Sequence, residues 1–153
     1  VHIKHAEIED LDGLTECAKR FFEYAGYAEQ GTPLDPQSFK DLVQGYIESD
    51  NGIVLVLMDG DKVVGSIAGH VNEWGFNRNI KMAVELHYWV DEGYRGKNSV
   101  KMLILYEKYA QALGASKSMM VSIDTHLKDK VGNLYKRMGY REYEKFYSKD
   151  IGV

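Results

Sequence analysis

The segment Tyr88-Trp89-Val90-Asp91-Glu92-Gly93-Tyr94-Arg95-Gly96-Lys97-Asn98-Ser99 holds residues whose types and order suit a phosphate. An apolar strand ends at an acidic turn, runs into Arg95-Gly96-Lys97 and meets a helix predicted from about Asn98 to Leu113. The first N–H groups of a helix have no partner within it, and its dipole favours negative charge at that end. A phosphorylated ligand is the expected occupant. Just upstream, Glu85, His87 and Trp89 alternate, and on a regular strand they share one face. That spacing sets a carboxylate and an imidazole beside the strand end that feeds the turn.

The elements that must hold these residues are legible along the chain. His2 to Ala6 is a short strand candidate. Ile8, Leu11, Leu14, Ala18, Phe21, Phe22 and Ala25 recur at helical spacing up to Gly26. Asp35-Pro36 starts a second helix, with a capping carboxylate before a proline at the first helical position. Phe39, Leu42, Val43, Tyr46 and Ile47 continue its apolar stripe. Ile53 to Met58 then reads as a strand, Asp59-Gly60 as a hairpin turn and Lys62 to Val71 as the returning strand. Asn72 to Asn79 reads as a loop carrying Trp74 and Phe76, and Lys81 to Val90 as the third member of the antiparallel set. After the basic turn come a helix with Val100, Leu103, Ile104 and Ala110 on one face, a strand from Ser118 to Ile123, a helix from Lys128 to Met138, and a final strand or hairpin from Tyr140 to Ile151. The order β-α-α-β-β-β-α-β-α-β predicts an α/β fold with a mixed sheet in one domain over residues 1–153. The strand–helix–strand crossover predicts that Lys81–Val90 and Ser118–Ile123 run parallel.

Composition narrows the function classes. With 44% hydrophobic and 27% charged residues the chain is an ordinary globular protein. Its net charge of −4 argues against nucleic acid as a partner, since a phosphate-backbone surface needs clustered Lys and Arg. Cys17 is the sole cysteine and lies on the apolar stripe of the first helix, so no intramolecular disulfide can form and a packing role is expected. Glu85, His87, Asp124 and His126 lack tight metal-ligand spacing, and no metal is expected. No apolar run approaches the roughly 20 residues of a membrane span. We expect a cytoplasmic protein with no membrane partner.

Two motifs together resemble the GCN5-related N-acetyltransferases (GNAT), most closely small members found in bacteria and their phages. Tyr88 to Val100 is similar to the family's strand-to-helix cofactor motif, and Leu134-Tyr135-Lys136-Arg137-Met138-Gly139-Tyr140 to its Leu-Tyr-x-x-x-Gly-Phe/Tyr ending. The resemblance implies a GNAT-like acyl-CoA N-acyltransferase fold, with acetyl-coenzyme A as donor and a small-molecule or protein amine as acceptor. It implies that Arg95, Gly96, Lys97, Asn98, Ser99 and Val100 hold the pyrophosphate, with Asn98 and Val100 departing from the small residues usual there. It implies that the main chain of Trp89 and Val90 lines the pantetheine arm and polarises the acetyl carbonyl. A homodimer is common among such proteins.

The same resemblance implies roles for individual side chains. Tyr135 takes the position of the acid that protonates the departing thiolate, and Asn133 that of a group bonding the cofactor arm, with Lys128 where the usual Asn stands. Glu85 is the first candidate for the base that takes the amine proton and His87 the second; Asp124 and His126 follow the parallel strand towards the same cleft. Acceptor selection falls to Tyr24–Pro36 and Asn72–Asn79, whose Tyr24, Tyr27, Trp74 and Phe76 are expected to wall a cationic or apolar amine. A non-catalytic module that binds an acyl-coenzyme A is the alternative.

Overall fold

The computed structural model describes residues 1–123 and 130–152, which fall into two units, residues 1–121 and 122–153. In the first unit β1 (His2–His5), β2 (Gly52–Asp59), β3 (Lys62–Trp74) and β4 (Asn77–Val90) pair antiparallel in that order. β5 (Lys117–Met119) lies parallel to β4, as the crossover requires. α1 (Leu11–Ala25) and α2 (Pro36–Glu48) follow β1, and α3 (Lys97–Ala112) links β4 to β5. The second unit contains α4 (Lys130–Arg137).

The core follows from the periodicities. Ile53–Met58 in β2 is buried at every position, because helices cover both faces of the sheet. Val54, Val56 and Met58 join Leu11, Leu14 and Cys17 of α1 and Val43 of α2 in one cluster. α3 packs on β2 and β3 and buries Met102, Leu103, Tyr106 and Ala110. Burial pushes the Cys17 thiol up to about 12, so it is a packing residue and not a nucleophile. Asp35 accepts from the Ser38 N–H at 2.9 Å with Pro36 behind it, the cap read from sequence.

Four elements differ from the sequence reading. Ile8 belongs to a 3-10 turn (Ile8–Asp10) and is exposed, so α1 begins at Leu11. The expected loop Asn72–Asn79 is instead a long hairpin tip: β3 runs to Trp74 and β4 resumes at Asn77. Its residues look like loop because β2 pairs no further along β3 than His70, so the ribbon beyond meets solvent. β5 spans Lys117–Met119 only, shorter than Ser118–Ile123. Residues 140–152 form no strand, and Tyr143, Phe146, Tyr147 and Ile151 are exposed. Strand-forming residues make a strand only where an edge pairs with them.

Candidate active site

β3 pairs β4 from Trp74↔Asn77 to Gly65↔Val90, whereas β5 pairs only Met82, Ala83 and Val84. From Glu85 to Val90 the β5 side of β4 therefore has no strand neighbour among the described residues. Glu85 fills the head of this gap: its Oε2 accepts from the Val121 N–H at 2.6 Å. Burial raises the Glu85 carboxyl to about 7, against the opposing pull of that hydrogen bond.

A β-bulge decides where Glu85 points. Ala68 pairs with His87 but the next residue, Gly69, pairs with Glu85, so β4 carries one extra residue, Leu86. Glu85 thus leaves the phase of His87 and Trp89, and the shared face expected of a regular strand is not formed. Gly69 fits this bulge for lack of a side chain. A Cβ there would overlap the Tyr106 hydroxyl and lie 2.5 Å from the Val84 carbonyl oxygen. His87 goes the other way, with its ring 5.9 Å from Phe39 and Nε2 2.8 Å from Ser66 Oγ. Burial lowers it to about 4. His87 is a neutral, packed imidazole at neutral pH, and Glu85 is the better-matched base.

At the far end of the gap lies the β4–α3 turn. The Asp91 N–H bonds the Val64 carbonyl at 2.8 Å, and a 3-10 turn over Glu92–Tyr94 carries the chain to Arg95. Gly96 follows at φ 88°, a conformation that side chains rarely adopt, and α3 begins. The N–H groups of Lys97, Asn98 and Ser99 meet no acceptor among the described residues. Asn98, which departs from the family's usual glycine, donates its side-chain amide to the Tyr94 carbonyl at 2.8 Å. Its side chain staples the turn from behind. Tyr88 donates its phenol to the Ser99 carbonyl at 2.7 Å, tying the strand to the helix start, and partly buried Val100 bonds back to the Gly96 carbonyl at 3.2 Å.

Arg95 turns towards α1. Its Nε donates to the Val90 carbonyl at 2.8 Å, and its Cζ lies 4.7 Å from the Trp89 ring centre and 5.4 Å from that of Tyr24. The face of Tyr24 expected for a cationic acceptor is thus taken by the chain's own cation. Tyr27 packs on Phe22 at 4.7 Å; burial, then the charge of Glu85, raises its phenol. Trp74 and Phe76 pair with each other at 5.2 Å on the hairpin tip, at the opposite end of β4 from Trp89, so the four aromatics do not make one wall. In the second unit Tyr135 is buried with its ring 5.5 Å from Tyr140, and Asn133 is exposed. Asp124, His126 and Lys128 lie outside the described residues.

Sequence reading set Phe39 on the apolar stripe of the second helix without placing it beside His87, and missed Ser66, Arg20 and Tyr106. The lone hydroxyl of Ser66 inside the apolar run Val63–Ala68 was a usable signal for a buried polar partner.

Five strands in a mixed sheet with helices on both faces define the α/β class. The model of the acetyltransferase (GNAT) family matches residues 14–140. The chain belongs to that family. Among curated proteins no sequence matches it. Among solved structures it is similar to a predicted acetyltransferase with acetyl-CoA from Clostridium acetobutylicum, at TM-score 0.77 and 14% identity over 98% of this chain and 96% of that one. It is also similar to an aminoglycoside acetyltransferase from an uncultured soil metagenomic sample (TM-score 0.73, 16% identity, 99% and 98% covered). A transcriptional regulator from Bacillus halodurans matches at TM-score 0.77 and 14% identity, covering 99% of each chain. Among the described residues no helix is long and apolar enough to cross a membrane.

Proposed function

We propose that the protein transfers an acetyl group from acetyl-coenzyme A directly to an amine. The observation that carries this reading is the edge of β4 left open among the described residues, which runs from the Glu85 carboxyl to the first N–H groups of α3, met by no acceptor among those residues. An extended amide-bearing arm can pair with a strand edge, and a pyrophosphate suits a helix N-terminus. Arg95 and Asn98, bonded to the chain itself, shape this turn from behind.

When bound, acetyl-coenzyme A supplies an activated thioester. Glu85 takes the proton that the amine loses as its nitrogen bonds the acetyl carbon. A main-chain N–H of Trp89–Val90 is assigned to stabilise the carbonyl oxygen as charge gathers on it. The carbon–sulfur bond breaks, and the leaving thiolate takes a proton from the Tyr135 phenol, assigned from its motif position. The acceptor is a small-molecule or protein amine.

The test mixes the protein with acetyl-coenzyme A and a panel of amines at about pH 8 and follows thiol release. Turnover that falls on Tyr135→Phe with little change in cofactor affinity supports the assignment. Tight binding with no turnover on any amine would select a non-catalytic acyl-coenzyme A-binding module, and no binding would remove both readings.

A further inference from the structure

The acidic pair Asp91-Glu92 stands directly before a turn that, on the reading above, binds an anion. A bare carboxylate there would oppose that ligand. Asp91 is met from the opposite side by Arg20 of α1, through Nη2 at 2.8 Å and Nε at 3.0 Å, a two-pronged grip. The Trp89 indole N–H donates to Oδ1 of the same carboxylate at 2.8 Å. The other end of the Arg20 contact is main chain, where Nη2 also donates to the Val63 carbonyl at 2.8 Å. The Trp89 ring in turn carries Arg95 on its face, so one indole touches both the Asp91 carboxylate and the Arg95 guanidinium. Arg20 thus sets one positive charge directly against Asp91, beside the Arg95 and Lys97 of the turn.

We infer that Arg20 is a positioning residue for anion binding at the β4–α3 turn: it cancels the charge of Asp91 and draws that carboxylate away from α3. The inference rests on coenzyme A occupying this turn. A side chain on α1 that bonds Asp91 and main chain then sets the affinity for the donor's phosphate end.

Calorimetric titration of the full chain with coenzyme A at low salt tests it. Arg20→Gln should weaken binding roughly five- to twentyfold, and the gap should narrow in high salt, as charge effects over several ångströms do. Arg20→Gln/Asp91→Asn should return to within about twofold of the unaltered chain, because the unpaired charge is gone. Asp91→Asn alone, which keeps Arg20, should bind as tightly or more tightly, and it serves if Arg20→Gln fails to fold. A double variant as weak as Arg20→Gln, or weaker binding by Asp91→Asn, would make Arg20 a mere strut and overturn the inference. No binding by the unaltered chain would instead overturn the functional reading, and this inference with it.

Discussion

Glu85 and His87 sit two residues apart on β4, on either side of one bulge, and burial acts on both. Towards β3 and α2, His87 is enclosed with Ser66 and Phe39 and its imidazole is pushed down to about 4. In the gap where β5 has stopped pairing, the Glu85 carboxyl is pushed up to about 7. Desolvation disfavours the charged form of each, so it weakens a histidine as a base and strengthens a glutamate. On this strand the carboxylate, which in water would be the poorer base, becomes the one matched to neutral pH. The bulge makes the difference, since it frees Glu85 from the packed phase that holds His87.

The largest effect that can break this comparison is on turnover. Glu85→Gln should lower the acetylation rate by about two to three orders of magnitude at neutral pH, whereas His87→Gln should change it by less than about threefold. Comparable losses from both would erase the distinction. The stability signs also oppose each other. Glu85 titrates above its ordinary 4.5 in the fold, so its contribution falls as pH rises from about 4.5 to about 7 and stays low above that. His87 titrates below its ordinary 6.5, so its contribution is full above 6.5 and is lost as pH falls towards 4. Glu85→Gln should accordingly melt higher than the unaltered chain at about pH 8 while losing activity.

Gly69→Ala comes next. Its new Cβ meets the Tyr106 hydroxyl and the Val84 carbonyl, and overpacking of this kind costs about 1–3 kcal/mol in a denaturation midpoint. The bulge should shift with it, so the surviving activity should fall further than stability alone explains. Retained stability together with full turnover would show that the bulge does not set Glu85. Tyr88→Phe removes one partly buried hydrogen bond to the first turn of α3, worth about 1 kcal/mol, and should weaken coenzyme A binding several-fold with little change in maximal rate. The smallest effect is expected at the hairpin tip. Phe76, 88% exposed, should tolerate Phe76→Ser within about 0.5 kcal/mol of stability and with unaltered turnover. A marked loss of activity there would return the tip to the acceptor site.

The fold was legible where sequence signals are local. The Asp35 cap and the Asp59-Gly60 hairpin were each readable from neighbouring residues, and the parallel crossover from the order of the elements. The position of the bulge was not, because alternation presumes a regular strand and the close approach of Tyr106 to Gly69 joins residues far apart in the chain. The grip of Arg20 on Asp91 was hidden for the same reason. The tail from Tyr140 carries strand-forming residues, but no edge among the described residues receives them, and propensity alone does not reveal that. The turn itself was found from Arg95-Gly96-Lys97, but the role of Arg95 was not. Its guanidinium stacks on Trp89, a partner that the motif alone does not specify.

The most direct test of the central claim is the pH dependence of kcat/KM, measured with an acceptor amine that stays unprotonated across the range. The activity should rise with pH through an apparent pKa near 7 and then level, reporting ionisation of Glu85, and Glu85→Gln should abolish that rise. A profile that is flat near neutrality, or one left unchanged by Glu85→Gln, would contradict it.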